Sequence, residues 1–198
     1  MIDIKFQNGC VLIVGGSGGI GSLCAKQFAD EGAKVAITYF KNEKAANDVA
    51  SGINSNVEVY QLDNKDPVSV QSAMDDIAKK YGGINTIVNA AGFDIPQKFI
   101  TDIDIDLWKS VMDADINGFF NLIKSGLPYL RESKGSIVFI SSAGLFKYPP
   151  GDVLSVAPKA TIEHVLKGIA KGGTSVTTEP STGVTVAPAA NGAAKVGN

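Results

Sequence analysis

The sequence predicts an α/β fold built on a doubly wound parallel sheet, and three observations carry that prediction. Apolar runs of strand length recur at residues 11–14, 34–39, 56–62, 85–89 and 136–140. Helical periodicity fills the segments between them, so consecutive strands are too far apart for hairpins and need crossovers, which make them parallel. The middle runs are continuously apolar, as strands covered by helices on both faces must be.

The bulk properties agree. Apolar residues make up 44% of the 198 residues and charged ones 19%, a balance that supports a packed core in a single domain. A net charge of −2 supplies no field that would draw nucleic acid or anionic membrane. The N-terminal residues MIDIKFQNG carry Asp3 and lack the apolar core of a signal peptide, and no apolar run approaches the ~20 residues of a membrane span. The expectation is a soluble, cytoplasmic protein with no nucleic-acid or membrane partner. Cys10 and Cys24 have no metal-ligand spacing and read as small buried hydrophobes, so no metal site is expected.

In chain order, the first strand (11–14) runs into a glycine-rich turn and a helix over 19–31, with Ile20, Leu23, Cys24 and Phe28 as its apolar stripe. A strand at 34–39, a short helix at 43–51 and a strand at 56–62 follow. Asp66 is positioned as an N-cap with Pro67 at the first helical position, and Val70, Met74, Ile77 and Tyr81 line the buried side of that helix up to Gly82. After the strand at 85–89 and a looser stretch, helical patterning resumes over 107–112, where Trp108 reads as core. A helix over 116–130 places Phe119, Phe120, Ile123, Leu127 and Leu130 on one side, and Pro128 should bend or end it. The strand at 136–140 precedes a helix over 159–171, in which Glu163 and Lys167 form an i,i+4 pair. His164 falls off its apolar stripe and reads as a surface residue.

Residues 1–171 thus form the domain. Residues 172–198 contain no aromatic, leucine or isoleucine and read as a low-complexity tail with at most one degenerate strand, at 183–187. On this reading the sheet lacks its last strand or strands.

The chemistry lies where strands end. Gly15, Gly19 and Gly21 form a turn directly between a strand and a helix, where backbone N–H groups can approach a pyrophosphate at the helix N-terminus. Ser17 adds a hydroxyl donor there, and Ile20 borders the same opening. Asp63 follows the third strand, Asn89-Ala90-Ala91-Gly92 closes the fourth, Ser142 ends the fifth, and Lys159 comes seventeen residues later. In this order and on these elements, the residues resemble the short-chain dehydrogenase/reductase family over roughly residues 5–171.

The resemblance implies a Rossmann fold that holds NAD or NADP. It gives Gly15, Gly19 and Gly21 to the phosphates, Asp63 to the adenine amino group, Asn89, Ala90 and Gly92 to the cofactor border, and Lys159 to the cofactor ribose. It gives catalytic roles to Asn117, which would support a proton-relay water, to Ser142, which would orient the substrate oxygen, and to Lys159. At the end of the second strand a carboxylate would select NAD. This chain has Tyr39, Phe40 and Lys41 there, with no acid before Glu43, so the reading tilts to NADP while NAD stays open.

The family's active-site tyrosine, four residues before the lysine, is here Ser155. An aliphatic hydroxyl is a far poorer acid than a phenol, and Tyr148 is out of register. Two readings of Ser155 stand: an atypical proton donor working with water, or the N-cap of a helix whose first turn accommodates Pro158. Two functions stand with them. One is an oxidoreductase interconverting a small carbonyl compound and a secondary alcohol. The other is a dinucleotide-binding sensor or assembly subunit with little turnover. The resemblance further implies a homo-oligomer paired through the helices at 116–130 and 159–171.

Overall fold

The computed structural model describes residues 9–53, 57–92 and 95–171, with the backbone of 177–179 and 184–188. Its elements, in chain order, begin with β1 (Cys10–Val14), α1 (Gly19–Asp30), β2 (Val35–Tyr39), α2 (Glu43–Ser51), β3 (Val57–Gln61) and α3 (Pro67–Tyr81). They continue with β4 (Ile84–Asn89), α4 (Ile105–Met112), a π-helical turn (Asp113–Asn117), α5 (Gly118–Ser133), β5 (Ser136–Ile140) and α6 (Val153–Lys171). Two short strands close the chain, β6 (Thr177–Glu179) and β7 (Val184–Pro188).

The sheet order is β3-β2-β1-β4-β5-β7-β6. The first five strands are mutually parallel, and β1, at the centre of the crossovers, pairs with both β2 and β4. Alternate residues of β1 point to opposite faces. Leu12 and Val14 pack on one side with Met74 and Ile77 of α3, Phe119 and Leu122 of α5, and Leu166 of α6. Val11 and Ile13 pack on the other with Ala25 of α1 and Ala46 of α2. This two-sided burial is the doubly wound arrangement, and it is why β1 reads as unbroken apolar sequence.

Local signals in the sequence place several boundaries. Asp66 caps α3 through Oδ1, which accepts from the Val68 N–H at 2.9 Å, and Gly82 (φ 78°) ends the helix in the left-handed conformation. Lys167 pairs with Glu163 at 2.7 Å on α6. The exposed His164 donates from Nδ1 to the Ala160 carbonyl, 3.0 Å away.

Elsewhere tertiary packing overrides the pattern. Ile20 and Leu23 are exposed, and the buried face of α1 is made of Gly21 and Ala25, because the helix sits too close to the sheet for larger side chains. Phe120 is 58% exposed although its helix buries Phe119 and Ile123. Trp108 is half-buried and lines an open groove rather than the core. Pro128 does not end α5, which continues to Ser133 and stops where Lys134 takes a left-handed conformation (φ 55°).

β7 pairs antiparallel with β5, and β6 pairs antiparallel with β7, so this region has two short strands where the sequence suggests at most one. The rest of 172–198 lies outside the described residues, as do Asn56 and residues 93–94 of the looser stretch.

Leu12 is fully buried at the centre of the sheet. Leu12→Ala should lower unfolding free energy by about 2–5 kcal/mol, and Asp66→Ala by about 1 kcal/mol through loss of the cap, both measured by urea denaturation.

Candidate functional site

The glycine turn after β1 is held by β2. The Gly15 N–H donates to Thr38 Oγ1 at 3.2 Å and the Gly16 N–H donates to the Thr38 carbonyl at 3.0 Å. Gly15 adopts φ 78°, and a Cβ there would lie 2.8 Å from the backbone of Ala91, so this turn and the segment after β4 meet at a distance only glycine permits. A Cβ on Gly21 would overlap the Gly15 carbonyl, so the helix must start with no side chain at that position. Gly19 differs, because a Cβ there would meet nothing within 4 Å: its side faces open space above the turn. The N-cap, Gly18, offers no side-chain cap, and the first turn of α1 carries no acid. The opening therefore presents unpaired N–H groups and the positive end of a helix dipole. Ser17 is half-buried in the turn, and Ile20 projects at its rim, 55% exposed.

Other strand ends surround this opening. Ala90 donates its N–H to the Val14 carbonyl at 3.0 Å, which joins the β1 and β4 termini, and Gly92 is exposed with open space where a Cβ would be. Asp63 is half-buried after β3, with Oδ1 accepting from the Lys65 N–H at 3.0 Å. Among the described residues, three buried side-chain oxygens have no hydrogen-bond partner: Asn64 Oδ1, Asn89 Oδ1 and Ser141 Oγ. They lie at the carboxyl ends of β3, β4 and β5 respectively. Buried polar atoms are rarely left unpaired. Their concentration along one sheet edge leaves acceptors there that a polar ligand could satisfy.

At the end of β2, Tyr39 hydrogen-bonds to Glu43. Burial first, and then the charge and hydrogen bond of Glu43, raise the phenol's pKa. The first turn of α2 thus brings an acid back to the strand end, which strand-by-strand reading of the sequence does not reveal. Lys41 lies with Nζ 5.1 Å from the centre of the Phe40 ring.

The second half of the site forms where the β5–α6 loop meets α6. Ser142 Oγ accepts from the Gly144 N–H at 3.0 Å, which leaves its own proton free to donate. A Cβ on Gly144 would lie 2.8 Å from Val156 Cγ2 and 3.1 Å from Ser142 Oγ, so Ser142 sits against the first turns of α6. On that helix Lys159 Nζ donates to Ser155 Oγ at 3.2 Å, and both residues are half-buried.

The N-cap reading of Ser155 is corrected here. The helix starts at Val153, after Gly151 turns the chain at φ 76°, and the Asp152 carbonyl accepts from the N–H groups of both Ser155 and Val156. Ser155 is therefore inside the first turn with its side chain on Lys159. Pro158 falls in the second turn and is buried, and its missing N–H leaves the Leu154 carbonyl without its i+4 donor.

Asn117 makes no hydrogen bond to Ser142, Ser155 or Lys159 among the described residues. It is exposed, its amide donates to Asp113 Oδ1 at 2.9 Å, and it lines the groove beside Lys65 and Trp108. The π-helical turn shifts the helical phase in a way that 3.6-residue periodicity cannot register. Two residues earlier, Asp115 is half-buried in that turn, which packs on α6; the sequence reading passed over it. Thr38 was also missed, although a polar residue inside the apolar run VAITY was a usable signal.

Residues 9–192 match the short chain dehydrogenase family. The chain belongs to that family. An uncharacterized oxidoreductase of Staphylococcus epidermidis is 30% identical over 172 residues, 84% of this chain and 72% of the relative. Meso-2,3-butanediol dehydrogenase of Serratia marcescens is 29% identical over 84% of this chain and 66% of its own. Among solved structures, a short chain dehydrogenase from Burkholderia cenocepacia in complex with NADP superposes with a TM-score of 0.77 at 31% identity, over 85% of this chain and 69% of that one.

For a dehydrogenase of this family, the open space at Gly19 and the orphaned oxygen of Asn89 fit a nicotinamide dinucleotide laid along the carboxyl edge. Among the described residues no group of three metal-ligating side chains is assembled, and no helix is long and apolar enough to cross a membrane.

The glycines separate folding from binding. Gly19→Ala should leave stability within about 1 kcal/mol of the parent while weakening dinucleotide binding about tenfold or more, because its methyl enters only ligand space. Gly21→Ala should cost about 1–3 kcal/mol of stability because its methyl meets the Gly15 carbonyl. Thermal unfolding and fluorescence titration with NADPH read the two effects.

Proposed function

We propose that this chain is an NADP-dependent oxidoreductase that interconverts a small carbonyl compound and a secondary alcohol. The observation that carries the reading is the 3.2 Å contact between Ser155 and Lys159. Gly15, Gly19 and Gly21 of the glycine turn would hold the dinucleotide, which would supply or accept hydride when bound.

In the reductive direction the Ser142 hydroxyl donates to the substrate carbonyl and orients it. The Ser155 hydroxyl gives its proton to the developing alkoxide while the Lys159 ammonium gives a proton to Ser155 Oγ. Ser155 then passes a proton without ever carrying negative charge, which removes the objection that an aliphatic hydroxyl is too weak an acid. Oxidation runs the same transfers backward. Asn117, exposed and held by Asp113, has no part in this relay.

For the cofactor, Lys41 at the end of β2 and the NADP-bound relative from Burkholderia cenocepacia support NADP. Glu43 is engaged by Tyr39, which reduces its availability to a ribose hydroxyl. Self-association through α5 and α6 is supported by exposed Phe120 and Val165 on those helices.

Steady-state assays with NADPH and a panel of ketones test the reading. Ser155→Ala and Lys159→Met should each lower kcat by about 100-fold or more, whereas Ser155→Tyr, which restores a phenol one turn before Lys159, should raise it about tenfold or more. NADPH binding without turnover on any carbonyl would leave only the sensor function. Lys41→Ala should weaken NADPH about tenfold and leave NADH unchanged. A parent protein that binds NADH more tightly than NADPH would overturn the NADP assignment.

A further inference from the structure

β3 ends the sheet on the side away from β5, and among the described residues no strand pairs with its outer edge. The Leu62 N–H donates to the Tyr39 carbonyl at 2.9 Å, so the even-numbered residues of this stretch turn their backbone groups to β2. Val57, Val59 and Gln61 therefore direct their N–H and C=O groups away from the sheet. Exposed edges are commonly blunted by a lysine, a proline or a bulge. β3 has no lysine or proline, and its register with β2 runs unbroken from Val57 to Gln61. Its one charge, Glu58, is already paired with Lys80 Nζ at 2.5 Å. An open groove of about 530 Å³ runs beside this edge, lined by Asn47, Ala50, Ser51 and Ile53 with Val57 and Val59. Val57 and Val59 pack on the α2 side of the sheet, and Tyr60 packs on the opposite side.

We propose that the outer edge of β3 pairs antiparallel with the same edge of a second copy of this chain, joining two sheets into one. With the two-fold axis at Val59, this residue lies opposite the partner's Val59, and Val57 lies opposite the partner's Gln61. These are the residues whose backbone groups point outward, so each pair exchanges both its N–H···O bonds. Glu58 then lies opposite the partner's Tyr60, with Cα atoms about 4.5 Å apart, and its carboxylate meets a phenol rather than a like charge. Sliding the strands by two residues would oppose the two Glu58 carboxylates, which fixes the register. This self-complementarity selects a second copy over an arbitrary extended peptide. On the other face the axis brings the two α2 helices toward each other, and the short side chains of Ala50 and Ser51 on the groove wall give them room.

The test uses the full chain with no nucleotide added and reads the strand edge itself, so it is separate from turnover and from association through α5 and α6. Amide hydrogen exchange resolved at Val57, Val59 and Gln61 should slow about tenfold or more between about 1 µM and about 100 µM protein, as the second copy takes up those N–H groups. Glu58→Cys treated with a short bis-maleimide should give a covalent dimer. The two copies of position 58 lie diagonal to each other, about 7–8 Å apart, and peptide mass spectrometry identifies the linkage. Val59→Pro removes only an outward N–H, which an edge strand tolerates, and should halve the mass of the assembly in sedimentation velocity. Exchange at the three amides that is the same at both concentrations would overturn the proposal: fast exchange means a bare edge, and slow exchange means that another part of the same chain covers it. A Glu58→Cys protein that yields no linkage between the two copies of position 58 overturns it as well. Both readouts stand even if the proline variant folds poorly.

Discussion

The site depends on how closely four backbone segments meet at the carboxyl edge of the sheet. The turn after β1 approaches Ala91 so tightly that a Cβ on Gly15 would come within 2.8 Å of its backbone. A Cβ on Gly16 would come within 2.5 Å of Ile37 Cβ, and α1 starts against the Gly15 carbonyl. Such contacts exclude side chains, and the excluded volume is what lets a ligand reach the helix N-terminus. Thr38 locks the arrangement by accepting both the Gly15 and the Gly16 N–H groups. Loss of that close packing would remove the floor of the cleft, even with every chemically active residue retained.

The residues proposed for the chemistry come from pieces far apart in sequence. Ser142 follows β5, while Ser155 and Lys159 arrive on α6 after a loop that reverses at Gly151. The early start of α6 matters most. By beginning at Val153 rather than at Ser155, the helix turns the Ser155 hydroxyl from a cap into the neighbour of an amine. Pro158 is tolerated in the second turn, at the expense of one carbonyl without a helical donor.

Much of the fold was legible because its signals are local. The Asp66–Pro67 start of α3, its stop at Gly82, and the strand at 136–140 are each specified by a few adjacent residues. Amphipathic readings failed where a neighbour, not the helix itself, decides the buried face. Ile20 and Leu23 were expected inside, but α1 lies on the sheet through Gly21 and Ala25. Phe120 follows a π-helical turn that rotates the helical phase, so it points outward beside a buried Phe119. The same turn places the Asn117 amide on Asp113.

By itself, the sequence determined the five parallel strands, their crossovers and the glycine turn, because strand burial, helix caps and steric exclusion act within a few residues. Tertiary structure decided that Ser155 faces Lys159 rather than capping a helix. It also decided that Glu43 returns to Tyr39, that β7 joins the sheet antiparallel to β5, and that β6 pairs antiparallel with β7. Each of these depends on where one element begins relative to another, and that is set by packing between segments that no local pattern encodes.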